Sequence, residues 1–108
     1  MWLKELKGTR YFHDTYVAHT TVQSDETIAL LTYQRILLFD IRKSDVELDI
    51  LVDQIDSCDS TNEGVQLYIK RPTERTEVLQ IEEETSREWF ATQVLTTIEQ
   101  RKEDKERQ

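Results

Sequence analysis

Two short apolar runs stand almost back to back in this chain. Thr27–Ile41 reads TIALLTYQRILLFDI, so Ile28–Tyr33 and Ile36–Ile41 are separated only by Gln34 and Arg35. Each run has strand length and is rich in Leu, Ile, Tyr and Phe. A single buried helix competes with this reading, because short apolar runs do not declare their period. The polar break and the strand-like segments downstream favour a tightly connected antiparallel pair. Because the runs do not alternate, both faces of the pair are apolar. A pair of that kind belongs at the centre of a sheet system.

The flanking segments extend the pattern. Tyr11–Val22, YFHDTYVAHTTV, is dominated by residues that suit a pleated, half-buried surface. Gln23–Glu26 forms the turn into the central pair, and Arg42-Lys43-Ser44-Asp45 forms the turn out of it. Val46, Leu48, Ile50 and Val52 then alternate with Glu47, Asp49, Leu51 and Asp53, which predicts a strand with one dry face. Ile55 breaks that phase, so a bend or bulge is expected near Asp53-Gln54. Ile55–Ser60, Val65–Lys70 and Arg75–Glu82 supply further short strands. Thr61–Gly64 makes one turn between them, and Pro72, which has no N–H for a ladder, stops the second strand. About seven strands result. No βαβ alternation is present, so a parallel sheet is not expected.

The period then changes. Trp89, Phe90, Val94, Leu95 and Ile98 lie along one stripe at helical spacing, and Thr85-Ser86-Arg87-Glu88 fits a capping box. Glu82-Glu83-Glu84 places negative charge where the helix dipole favours it; consecutive glutamates point in different directions and make a poor cation site. Glu99–Gln108 is almost wholly charged and reads as a fraying helix end or a disordered tail. Upstream, Met1–Gly8 is a lead-in, either one helical turn through Trp2, Leu3 and Leu6 or a short extra strand. The fold expected is mainly β with one C-terminal α-helix, the helix closing one end of a barrel or sandwich with Trp89 as its anchor.

This layout resembles the pleckstrin-homology (PH) superfold, and the Trp in SREWFATQVL is similar to the helix tryptophan of that family. LLTYQRILLFD is closer to the GRAM-like branch, whose second and third strands carry a Leu-Thr-x-x-Arg-Ile/Leu-Leu-Phe pattern. Taken together, YFHDTYVAH, ALLTYQRILLFDI, LVDQIDSC and GVQLYI resemble the PH-like domain at the C-terminal end of chorein-type bridge-like lipid-transfer proteins. The resemblance implies residues 1–10 as a lead-in, a PH-like barrel over 11–100 and a charged tail at 101–108. It also implies a targeting role. In that family a long hydrophobic groove carries phospholipid between organelles while C-terminal domains dock one end on a membrane. PH-like domains dock through phosphoinositides or through proteins, Arf-type small GTPases among them, and fold alone does not decide which.

Charge and side-chain chemistry narrow the choice. A net charge of −8 over 108 residues argues against nucleic acid as a partner and against nonspecific adhesion to anionic membrane. No run approaches the ~20 apolar residues needed to span a bilayer, and WLKELKGT lacks the features of a secretory signal. Cys58 is the only cysteine, which excludes an internal disulfide and points to a reducing, cytoplasmic setting. His13 and His19, six residues apart on one strand, stand about 20 Å from each other, too far for one metal ion. With two glycines there is no Gly-rich phosphate loop. A catalytic role and a cofactor are therefore not expected.

The candidate binding residues are Arg42 and Lys43 in one turn and Lys70, Arg71 and Arg75 around another. The resemblance places both turns on the open rim where PH-like folds bind headgroups. There the chain departs from tight phosphoinositide binders, because Gln23-Ser24-Asp25-Glu26 is acidic where their basic cluster stands. The expectation is a monomeric module, peripheral at an organelle membrane or contact site, docked by a membrane-associated protein such as an Arf-type GTPase. Weak anionic-lipid binding and a purely structural end domain are the alternatives.

Overall fold

The computed structural model describes residues 14–22 and 26–107. The expected lead-in at residues 1–10, the Tyr11–His13 part of the first strand, and Gln23–Asp25 of the first turn lie outside the described residues. Seven strands follow in order: β1 (Tyr16–Thr21), β2 (Thr27–Thr32), β3 (Arg35–Asp40), β4 (Asp45–Leu51), β5 (Ile55–Thr61), β6 (Gly64–Ile69) and β7 (Arg75–Leu79). The last element among the described residues is a helix, α1 (Glu84–Glu106).

The strands form two antiparallel sheets, β1-β2-β3-β4 and β5-β6-β7. Among the described residues no ladder joins the sheets, so the expected barrel is an open sandwich of the PH-like kind. The predicted central pair is β2–β3, with Leu31 opposite Ile36 and Thr27 opposite Asp40. Its tight connection is held by Thr32, whose Oγ1 accepts the amide hydrogens of Gln34 (3.2 Å) and Arg35 (2.9 Å). Both faces are apolar for a physical reason. Ala29, Leu31 and Ile36 enter the main core, whereas Leu30, Leu37 and Phe39 form a second buried cluster on the opposite face.

β4 departs from the simple alternation expected of it. Leu48 faces the main core, but Val46 packs on the second cluster. The register shifts between Leu38, opposite Leu48, and Phe39, opposite Val46, so Glu47 is an extra residue on β4. A bulge of this kind reverses the facing of everything on one side of it. The bend expected at Asp53-Gln54 is a 3-10 turn, Val52–Gln54, which carries the chain from one sheet to the other. Gly64 opens β6 at φ 142°, and a Cβ there would meet the Leu79 carbonyl oxygen at 2.1 Å, so the close approach of β7 requires glycine.

The helix packs chiefly on β5, with further contacts to β1 and β6. Three expectations about it are corrected. Its buried stripe is Phe90, Ala91, Val94, Thr97 and Ile98, while Trp89 is 45% exposed and Leu95 42% exposed. The stripe is centred on Phe90, which is fully buried, and Trp89 lies one helical step (about 100°) away from it. Trp89 is therefore not the anchor. The Thr85–Glu88 capping box is absent: the helix starts at Glu84 after Glu83, without a side-chain cap. Arg87 Nη1 instead binds the carbonyls of Ile81 and Glu82, tying down the entering chain one turn earlier. The charged segment expected to fray is regular helix to Glu106.

Candidate functional site

The topology divides the five predicted cations into two groups. Arg42 and Lys43 lie in the β3–β4 turn, where Arg42 Nη1 meets Glu26 Oε2 at 3.1 Å beside the end of the β1–β2 connection. Lys70, Arg71 and Arg75 lie around the β6–β7 turn. There Arg71 Nη2 donates to the Asp53 carbonyl at 2.7 Å, which fixes this turn to the β4–β5 corner. β4 runs from one group to the other, and its six residue steps cover about 20 Å. The single basic rim expected from the sequence is therefore two separate patches.

Each patch is partly neutralised. Lys70 Nζ is 3.9 Å from Asp56 Oδ1, and Arg75 Nε is 3.5 Å from Glu77 Oε1. A shallow depression of about 350 Å³ beside them is lined by Asp56, Tyr68, Lys70, Glu74, Arg75 and Thr76. Two cations face two carboxylates in it, so a phosphate entering would displace one attraction to gain another. Exposed pairs of this kind are each worth little to stability and remain open to exchange.

A third constellation was missed at the sequence level. The last turns of α1 reach the β2–β3 connection and the β4–β5 corner. Arg101 Nε and Nη2 bind Asp53 Oδ1 and Oδ2 at 2.7 and 2.8 Å, a bidentate pair. Arg101 Nη1 donates to the Tyr33 carbonyl at 3.0 Å, and its guanidinium carbon stands 4.7 Å from the Tyr33 ring centroid. Lys105 Nζ reaches Asp53 Oδ2 at 3.1 Å, and the Tyr33 hydroxyl donates to Asp104. Hydrogen bonds from Arg101, opposed by burial and reinforced by Lys105, bring the Asp53 carboxyl down to about 2. The hydrogen bond to Asp104 is the main cause that raises the Tyr33 phenol. The available signal was periodicity: Arg101 stands three residues after Ile98 and seven after Val94, on the buried stripe. This cluster locks the helix to the sandwich.

The family described as intermembrane lipid transfer protein VPS13, C-terminal, matches residues 1–90. The chain belongs to this family. It is also similar to the intermembrane lipid transfer protein VPS13 of Chaetomium thermophilum, with 23% identity over 99 residues, covering 92% of this chain. The chain spans 3% of that relative's length. No solved structure matches.

Within this VPS13 C-terminal domain, the remaining candidates have structural surroundings. His13 is outside the described residues. His19 is exposed and its Nδ1 lies 2.7 Å from the Tyr16 hydroxyl. Cys58 is buried, its Sγ donates to the Ala91 carbonyl at 3.4 Å, and burial raises the thiol to about 11. Among the described residues no cluster of His, Cys, Asp and Glu is arranged to hold a metal ion, and no helix is long and apolar enough to cross a membrane.

Proposed function

We propose that this VPS13 C-terminal domain is a non-catalytic targeting module. It attaches an intermembrane lipid-transfer protein to an organelle membrane by binding a protein resident there, with an Arf-type small GTPase as the partner to test first. The domain works as a monomer, peripheral to the cytoplasmic side of the membrane or contact site. The observation that carries this reading is the state of the basic residues. A phosphoinositide site needs several cations converging on one phosphate-sized space. Here Arg42 is paired with Glu26, and Lys70 and Arg75 stand beside Asp56 and Glu77 on a separate patch. The net charge of −8 adds a general repulsion toward an anionic surface. Protein surfaces of mixed charge are better partners for such patches than a dense array of phosphates.

A second reading, weak binding of anionic lipid, is favoured by one observation. Lys70 and Arg75 line the same depression as Tyr68, and their carboxylate contacts are long. The two readings separate in a paired assay. The chain is incubated with Arf-type GTPases loaded with GDP or a GTP analogue, and in parallel with vesicles of neutral or anionic lipid. The adaptor reading expects retention on a GTPase and little sedimentation at physiological salt. Sedimentation with anionic vesicles and no retention on any GTPase would reverse the order of the two.

A further inference from the structure

The outward face of α1 carries an apolar ridge that the sandwich does not use. Trp89, Thr92 and Leu95 follow one another at intervals of three residues, so they lie side by side along about 9 Å of helix. Trp89 and Leu95 are 45% and 42% exposed, the two largest apolar side chains that the helix shows to solvent. The core does not need them, because Phe90, Val94 and Ile98 fill the helix–sheet interface. Thr92 between them is inexpensive to cover: its hydroxyl already donates to the Glu88 carbonyl at 2.9 Å.

Charge states what would cover the ridge. Glu88 stands beside Trp89 on the exposed face and has no ion pair among the described residues. Glu99, one turn beyond Leu95, has only Lys102 at 3.8 Å, and both side chains are more than half exposed. An apolar ridge bounded by carboxylates repels an anionic bilayer and attracts a surface with apolar residues set among Lys or Arg. An aromatic and a leucine at fixed helical spacing suit a partner helix, whose side chains fall into the grooves on either side. We propose that this ridge is a docking surface for a basic amphipathic helix of a protein partner. The inference rests on the adaptor reading for its biological setting, and adds to it the surface and the partner's chemistry.

The test maps binding on the 108-residue chain by two-dimensional amide NMR. The probe is a synthetic helix-forming peptide with leucines at i, i+3, i+4 and i+7 and lysines elsewhere. The controls are the same peptide with glutamates for lysines, phosphatidylcholine vesicles containing phosphatidylserine, and the chain alone at rising concentration. The lysine peptide is expected to shift the Trp89 indole signal and the Thr92, Leu95 and Thr96 amides. Leu95→Ser should abolish those shifts. Glu88→Lys combined with Glu99→Lys should weaken binding about tenfold or more. Every substituted side chain is exposed, and unchanged Phe90 and Val94 signals verify the fold of each variant. Shifts centred elsewhere, equal response to the glutamate peptide, response to vesicles alone, or self-association through the ridge would each overturn the proposal. The adaptor reading fails separately. It falls if GTPases are ignored and anionic vesicles retained, whatever the peptide does; if GTPases bind while the lysine peptide finds no ridge, only the ridge falls.

Discussion

Two neighbouring aromatic residues, Trp89 and Phe90, divide the work expected of one. Apolar periodicity places both on the inner stripe, because a helix wide enough to bury five positions accepts either as its edge. Packing decides between them: Phe90 is fully buried, and Trp89 is almost half in solvent. Phe90→Ala should cost about 3–5 kcal/mol in urea unfolding, with little change in slope. Trp89→Ala should cost less than about 1 kcal/mol, since much of its surface is already hydrated. Equal losses for the two would contradict the assigned facing. Cys58 offers a second check at this scale. Its thiol is buried against α1 and raised to about 11, so at neutral pH it presents almost no thiolate. Labelling by a thiol reagent should be slow in the folded chain and become rapid in denaturant.

At the level of elements, the strands and the Asp53-Gln54 bend were legible and the bulge in β4 was not. The β2–β3 pair could be read because two apolar runs separated by Gln34 and Arg35 leave few other arrangements. The bulge at Glu47 left no mark, since VELDI alternates without a break while the backbone inserts a residue against β3. The end of α1 was misread for another reason. A run of charges resembles a solvated tail unless its partners are known, and Asp53 and Tyr33 are 48 and 68 residues from Arg101 in sequence. Truncation after Arg101 removes the Lys105 and Asp104 contacts, so a thermal melt should fall by several degrees; no change would mean that the last turns are not docked. The Asp53 carboxyl is lowered from 3.8 to about 2. A lowered folded-state value gives stability that is full above the unfolded value and lost as pH falls through the folded one. With Asp53 30% exposed, solvent screening reduces the contribution to about 1 kcal/mol. The advantage of wild type over Asp53→Asn should thus hold at pH 7 and disappear between about pH 4 and pH 2, as read by urea titrations at each pH.

For the whole molecule, the architecture followed from composition by segment. Seven short β-type runs and one amphipathic helix leave a two-sheet sandwich covered by a helix as the compact solution. The basic residues were harder, because turn positions alone do not reveal which end of a sandwich each turn occupies. Arg42 and Arg71 stand in similar sequence settings, yet one meets Glu26 and the other the Asp53 carbonyl across the length of β4. That separation supports the proposal that this VPS13 C-terminal domain docks on a membrane through a protein, with lipid headgroups contributing only weakly. The most direct measurement is the affinity of the chain for phosphoinositide-containing vesicles across a salt series. Weak binding is expected at low salt, similar among phosphoinositide isomers and strengthened by Asp25→Lys with Glu26→Lys. It should fade toward ~0.15 M ionic strength, where the Debye length is about 8 Å. Submicromolar affinity for one isomer at that salt, lost on Arg71→Ala, would contradict the account.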